Sequence, residues 1–206
     1  LGARIPRLAA GPNQQIWVAD APKIHGRILQ FRQLWVDGTK AVRAREPNGE
    51  NLARLVAWDK TSQTATIPTT ALKDIKNPAG LEMVVDQVWE TAVLRVKAIR
   101  IHGTNAFLTF KEPESEIEFQ HPWPPVIVNT HYRAPFYLVN AIQFLDSPGE
   151  WYEDVRSGKV YYWPRAGEDM TRVTVYAPAI KTLLQIEGST NQPAGYIQFK
   201  GITFAY

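Results

Sequence analysis

The chain contains no cysteine. Disulfides, thiolate metal sites and cysteine nucleophiles are therefore excluded, although the absence of cysteine identifies no compartment. Its four histidines, His25, His102, His121 and His131, show neither HxH nor HExxH spacing. No metal site is read from them, since a zinc ion would need ligands from distant strands. No cofactor is expected. No stretch reaches the roughly 18 apolar residues of a membrane span, so no membrane partner is expected. A basic start followed by an apolar run is missing too, so no signal peptide is visible. GxSxG, GxGxxG and Walker-type loops do not occur, which leaves serine-hydrolase, dinucleotide and nucleotide chemistry without a motif.

Charge of one sign is also scarce in excess. The 23 basic and 20 acidic residues leave a net +3, whereas a nucleic-acid binder concentrates Lys and Arg on one face. The densest basic stretch, Arg27 to Arg45, is broken by Phe31, Leu34, Trp35, Val36, Ala41 and Val42. Alternating strand faces explain it better than a phosphate track, and no nucleic-acid partner is expected.

What the chain does have is aromatic side chains: seven Trp, eight Tyr and eight Phe. Such rings fill cores and also stack on sugars, and composition alone does not separate the two uses. Short strand signals recur every eight to fifteen residues. Asp37-Gly38 marks one hairpin, and Arg156-Ser157-Gly158 marks another between Glu150–Asp154 and Val160–Trp163. Leu81 to Ile101 reads as one long strand, bent or bulged near Glu90-Thr91. Glu112 to Phe119 alternates as a strand, and Phe136 to Asp146 has helical spacing. Ala71 to Lys76 reads as a helical turn. Arg172–Tyr176, Thr182–Ile186 and Tyr196–Phe204 read as later strands. The pattern predicts an all-β fold with antiparallel sandwich or barrel topology.

Candidate sites are few. Glycoside hydrolysis uses two carboxyl groups about 5 Å apart for retention or about 6.5–9.5 Å apart for inversion. On a strand, Glu114, Glu116 and Glu118 share one face, but the plainer reading is a solvated face opposite Ile117 and Phe119. Glu150 with Asp154 is a second pair, again more simply a hairpin edge. Glu116, Glu118 and Glu150 thus remain the weak catalytic candidates. The Pro-rich loop from His121 to Tyr132 holds His121, Trp123, His131 and Tyr132, which together could wall a sugar cleft. The plainer alternative is that Trp123 staples the loop to the core. Trp151 and Trp163 read first as cross-strand packing and second as sugar platforms.

Several stretches resemble a family of right-handed parallel β-helix glycosidases. They are Phe31–Gly38, Ala41–Arg45, Ala92–Lys97, and above all Phe144–Tyr152 continued by Gly158–Pro164. The end, Ile197–Phe204, is similar to a first β-helix rung. The nearest groups are glycoside hydrolase family 141 and the related family 120. The resemblance implies a sandwich or barrel accessory domain over residues 1–165, leading into the start of a parallel β-helix over 166–206. It also implies a glycan substrate, catalytic carboxylates on rungs outside this chain, and an extracellular or periplasmic protein. Further chain, or a partner chain, is then expected to continue the coil after Tyr206. The expectation is a non-catalytic, substrate-flanking segment of an enzyme acting on plant-type polysaccharide or oligosaccharide. The alternatives are a stand-alone carbohydrate-binding module, or a small complete enzyme using an unrecognised carboxylate pair.

Overall fold

The computed structural model describes residues 16–75, 77–121, 125–180 and 182–204, with backbone strands also at Gly2–Arg4 and Ala9–Ala10. The fold is mostly β, built of several antiparallel sheets, as the sequence pattern predicts. The largest sheet runs in the order Ala53–Arg54, Pro135–Val139, Glu82–Asp86, Thr91–His102, Asn105–Phe110, Thr64–Pro68, Ala57–Asp59, and Arg45–Glu46 also pairs with Pro135–Val139. Residues 53–59 touch both of its ends: Leu55 N–H donates to Ala134 O, and Val56 N–H donates to Thr66 O. The sheet curls strongly, but no closed barrel forms.

Burial follows the side-chain alternation. In Asn105–Phe110 the inward residues are Ala106, Leu108 and Phe110, the period of two that a pleated strand demands. They join Leu55, Ile67, Met83, Leu94, Phe136, Leu138 and Phe144 in the first core. A second core gathers Phe31, Leu34, Val36, Trp151, Val160, Tyr162, Met170, Val175 and Ala177. It lies on two smaller sheets. One orders Ala9–Ala10, Trp17–Asp20, Lys159–Tyr162, Glu150–Asp154 and Val42–Arg43; the other orders Gly2–Arg4, Val175–Pro178, Trp35–Val36 and Thr39–Lys40. Both expected hairpins form. Asp37 and Gly38 take φ of 45° and 76° between Trp35–Val36 and Thr39–Lys40, and Gly158 takes φ 65° beside the strand Lys159–Tyr162.

Five expectations are corrected. Residues 81–101 are a hairpin rather than one bent strand: Glu82–Asp86 and Thr91–His102 pair across a turn closed by Gln87 N–H to Glu90 O, with Val88 and Trp89 exposed at its tip. The bulge falls later, between Val96 and Ala98. Glu112 to Phe119 does not form a strand; Glu114–Gln120 is an α-helix. Over seven residues its polar alternation fits either period. Acidic residues in a first helical turn and a buried Ser115–Phe119 side favour the helix. Phe136 to Asp146 is not a helix but the strand Pro135–Val139 followed by a 3-10 turn at Ile142–Phe144. Strand neighbours on both sides override its helical spacing. The turn expected at Ala71–Lys76 sits slightly earlier, at Thr69–Leu72. Finally, the strands expected at Thr182–Ile186 and Tyr196–Phe204 do not form within residues 182–204. Among the described residues no neighbouring strand completes their backbone hydrogen bonds, and Leu183, Ile186, Ile197, Phe199, Ile202 and Phe204 are exposed.

Candidate functional site

Where the hairpin of the second core meets the first core, two groups of side chains converge. The first is an ionic seam, buried at Glu82 and Arg43 and open to solvent at Arg32. Arg32 clamps Glu82 through both Nε and Nη2, at 2.9–3.1 Å, and Arg43 Nη1 reaches Glu82 Oε2 at 2.5 Å. Burial pushes the Glu82 carboxyl up, but the two guanidinium groups outweigh it and hold it below the usual range. Arg43 also lies 5.7 Å from the centroid of the Trp151 ring, close enough for a cation–π contact. Glu153, 2% exposed, sits beside Arg43 with no such clamp. Burial drives its carboxyl up to about 7 against the pull of Arg43.

The second group lines an open cleft of about 660 Å³. Asp74 and Asn77 approach it from the turn after Thr69–Leu72. Asn140 and Gln143 come from the end of Pro135–Val139 and its 3-10 turn. Tyr152, Asp154, Arg156 and Ser157 come from the hairpin. Each position has a local cause. Asn140 holds a left-handed backbone, φ 67°, which Asn tolerates better than most residues. Asp154 accepts from Ser157 Oγ at 2.7 Å and Arg156 N–H at 3.0 Å. Burial raises its carboxyl, yet these donors prevail and hold it below the usual range. The Tyr152 hydroxyl is pushed up to about 12, first by burial and then by the Asp154 charge. The lining therefore offers amides, carboxylates, a guanidinium and one aromatic ring, groups that hydrogen-bond and cover sugar hydroxyls.

The residues singled out in the sequence fall elsewhere. Trp151 is fully buried and stacks on Phe31, with centroids 5.0 Å apart and planes 11° apart, so it offers no face to a sugar. His131 is exposed in a turn, and its N–H donates to Asn129 Oδ1. Tyr132 is half-buried and packs against the first core. Trp123 lies outside the described residues. Glu116 is exposed on the helix. Glu150 is buried and works as a turn staple: Oε2 accepts from the N–H groups of Asp146 and Ser147 at 3.1 and 3.0 Å. Its carboxyl is pushed up to about 6 by burial, which those two donors only partly offset. Glu118 and His121 do come together, joined by Glu90, with the donor atoms of all three within 4.8 Å of one another.

Residues 14–165 match the sequence model of the GH141 insertion domain. The chain belongs to this family. A solved structure named "Glycoside hydrolase" shares 40% identity and a TM-score of 0.83 over 93% of the chain. The chain spans 33% of the length of that structure. A search of curated proteins finds no match.

Within the insertion domain, sequence reasoning missed the cleft. Its polar residues carry no spacing signal, because Asp74, Gln143 and Arg156 belong to three separate turns. The available signal was punctuation: Asn77-Pro78, Ser147-Pro148-Gly149 and Ser157-Gly158 mark turns, and functional side chains gather on turns held by a rigid scaffold.

Proposed function

We propose that this insertion domain flanks and positions the glycan of a longer glycoside hydrolase, whose catalytic carboxylates lie on parallel β-helix rungs outside residues 1–206. The observation that carries this reading is the family match over 14–165, together with a glycoside hydrolase of similar structure of which the chain spans a third. Two features support it. Residues 182–204 present Ile197, Phe199, Ile202 and Phe204 to solvent without strand partners, and a stacked coil would cover that surface. In the cleft between Asp74, Gln143, Tyr152 and Arg156, the Asp154 carboxyl is tied to its own turn and held below the usual range. That suits a hydrogen-bond acceptor for sugar hydroxyls and not a general acid, which needs a raised value. On this reading the parent enzyme is extracellular or periplasmic and acts on plant-type polysaccharide or oligosaccharide.

Titration of the chain with plant oligosaccharides, followed by NMR or calorimetry, tests the reading. Saturable binding weakened by Arg156→Ala and Gln143→Ala is the expected result. Binding unaffected by both substitutions would move the contact surface away from the cleft.

A further inference from the structure

The cleft and the ionic seam leave one cluster unused. Glu90 ends the tight turn between Glu82–Asp86 and Thr91–His102. Glu118 lies in the last turn of the helix Glu114–Gln120, and His121 caps that helix, its N–H bonded to Ile117 O. Their donor atoms all fall within 4.8 Å of one another. Glu118 and His121 are only 7% and 6% exposed.

Charge distinguishes this cluster from the ion-paired carboxylates of the fold. Glu82 is held by Arg32 and Arg43, Glu114 by Arg95, Glu46 and Asp146 by Lys73, and Asp20 by Lys159. The charged groups acting on Glu118 are Glu90, which repels it, and His121. In place of a cation, the Gln87 amide lies between the two carboxylates and donates through Nε2 to both, at 3.1 Å to Glu90 Oε1. Its other end, Oε1, is buried without a hydrogen-bond partner. The two ends of a primary amide are nearly the same size, so turning the group over brings a carbonyl oxygen to the carboxylates. The carboxyl-terminal end of the helix adds further negative potential at the same place.

We propose that Glu90, Glu118 and His121 bind one divalent transition-metal ion of the Zn²⁺ or Mn²⁺ class, with the Gln87 carbonyl as an additional oxygen ligand. One imidazole nitrogen among carboxylate oxygens suits these ions, whereas Ca²⁺ and Mg²⁺ favour all-oxygen shells. The ion ties the end of the helix to the tip of the hairpin. Its role is structural, because the cluster shares no residue with the cleft lining.

The test is calorimetry and thermal unfolding of the whole chain after EDTA treatment, with ZnCl₂, MnCl₂, CaCl₂ and MgCl₂ as separate titrants. Binding to the folded state raises Tm with metal concentration. The expected result is 1:1 binding of Zn²⁺ or Mn²⁺ and a rise in Tm, both lost in Glu118→Gln and in Glu90→Gln and kept in the surface control His131→Ala. Near-UV circular dichroism checks that the variants fold; Glu90→Gln, at the half-exposed turn, guards against a misfolded Glu118→Gln. No binding of either transition metal, a response to Ca²⁺ or Mg²⁺ alone, or unchanged binding in both Gln variants would overturn the proposal.

Discussion

Asn140 and Glu153 face each other across the boundary between the two cores. The Asn140 side chain donates to Gly80 O and Glu153 O and accepts the Glu153 N–H, at 2.9–3.0 Å, while its own backbone is left-handed. Asn140→Ala leaves the buried N–H and C=O of Glu153 and the half-buried C=O of Gly80 without this partner and adds backbone strain, so it should cost about 2–4 kcal/mol. Asn140→Gly should recover only the strain. Urea unfolding of wild type and both variants checks the ordering; equal stability of the two variants would mean that the left-handed backbone carries no strain, and a glycine variant as stable as wild type would mean that the hydrogen bonds contribute nothing. Glu153 makes a pH prediction. Its carboxyl is neutral in the folded state up to about 7, whereas in the unfolded chain it ionises near 4.5. A raised pKa stabilises the fold below the unfolded value, and that contribution is lost as pH rises through the folded value. The rise corresponds to about 3 kcal/mol between about pH 5 and pH 8. Glu153→Gln should flatten that decline, leaving a smaller one from Glu150, which titrates near 6. Unfolding free energies at pH 5, 6.5 and 8 decide it: parallel curves for wild type and variant would refute the assignment. Neither residue is legible in the sequence. Asn140 lies in a run whose spacing suits a helix, and Glu153 reads as one more polar position on a hairpin.

Turn chemistry makes some elements legible and hides others. The hairpins at Asp37-Gly38 and Gly158 are readable because positive φ demands particular residues. The helix Glu114–Gln120 is not, because seven residues span too few turns to separate a period of two from 3.6. Its anchor is Phe119, 1% exposed, whose ring stacks on Trp58 with centroids 4.1 Å apart and planes 4° apart. Phe119→Ala should therefore cost about 3–5 kcal/mol, a loss readable in thermal unfolding. At the second hairpin, a Cβ on Gly158 would come within 2.7 Å of Ile28 Cδ1 in a backbone region hostile to side chains. Gly158→Ala should destabilise by about 1–3 kcal/mol. Adding Ile28→Ala should return the steric part and leave the backbone part; full recovery in the double variant would show that φ carries no cost.

At the scale of the whole molecule, the strand pattern leads to a mostly β fold, the resemblance of Phe144–Tyr152 and Gly158–Pro164 leads to glycoside hydrolase family 141, and the insertion-domain match bears out that family. Alternation alone misleads after residue 180. A strand exists only beside another strand, and among the described residues none lies beside 182–204. Of its buried glutamates, Glu82 is held in an ionic seam, Glu150 staples a turn, Glu153 lies beside Arg43, and Glu118 lies beside Glu90 and His121. On the proposed function, this domain positions glycan without cleaving it. Release of reducing ends from a panel of plant polysaccharides and oligosaccharides by the purified chain tests that most directly. No release above the blank is predicted, even where binding is saturated. Turnover by the chain, abolished by Glu118→Gln or Glu150→Gln, would contradict the account and make the domain a catalyst in its own right.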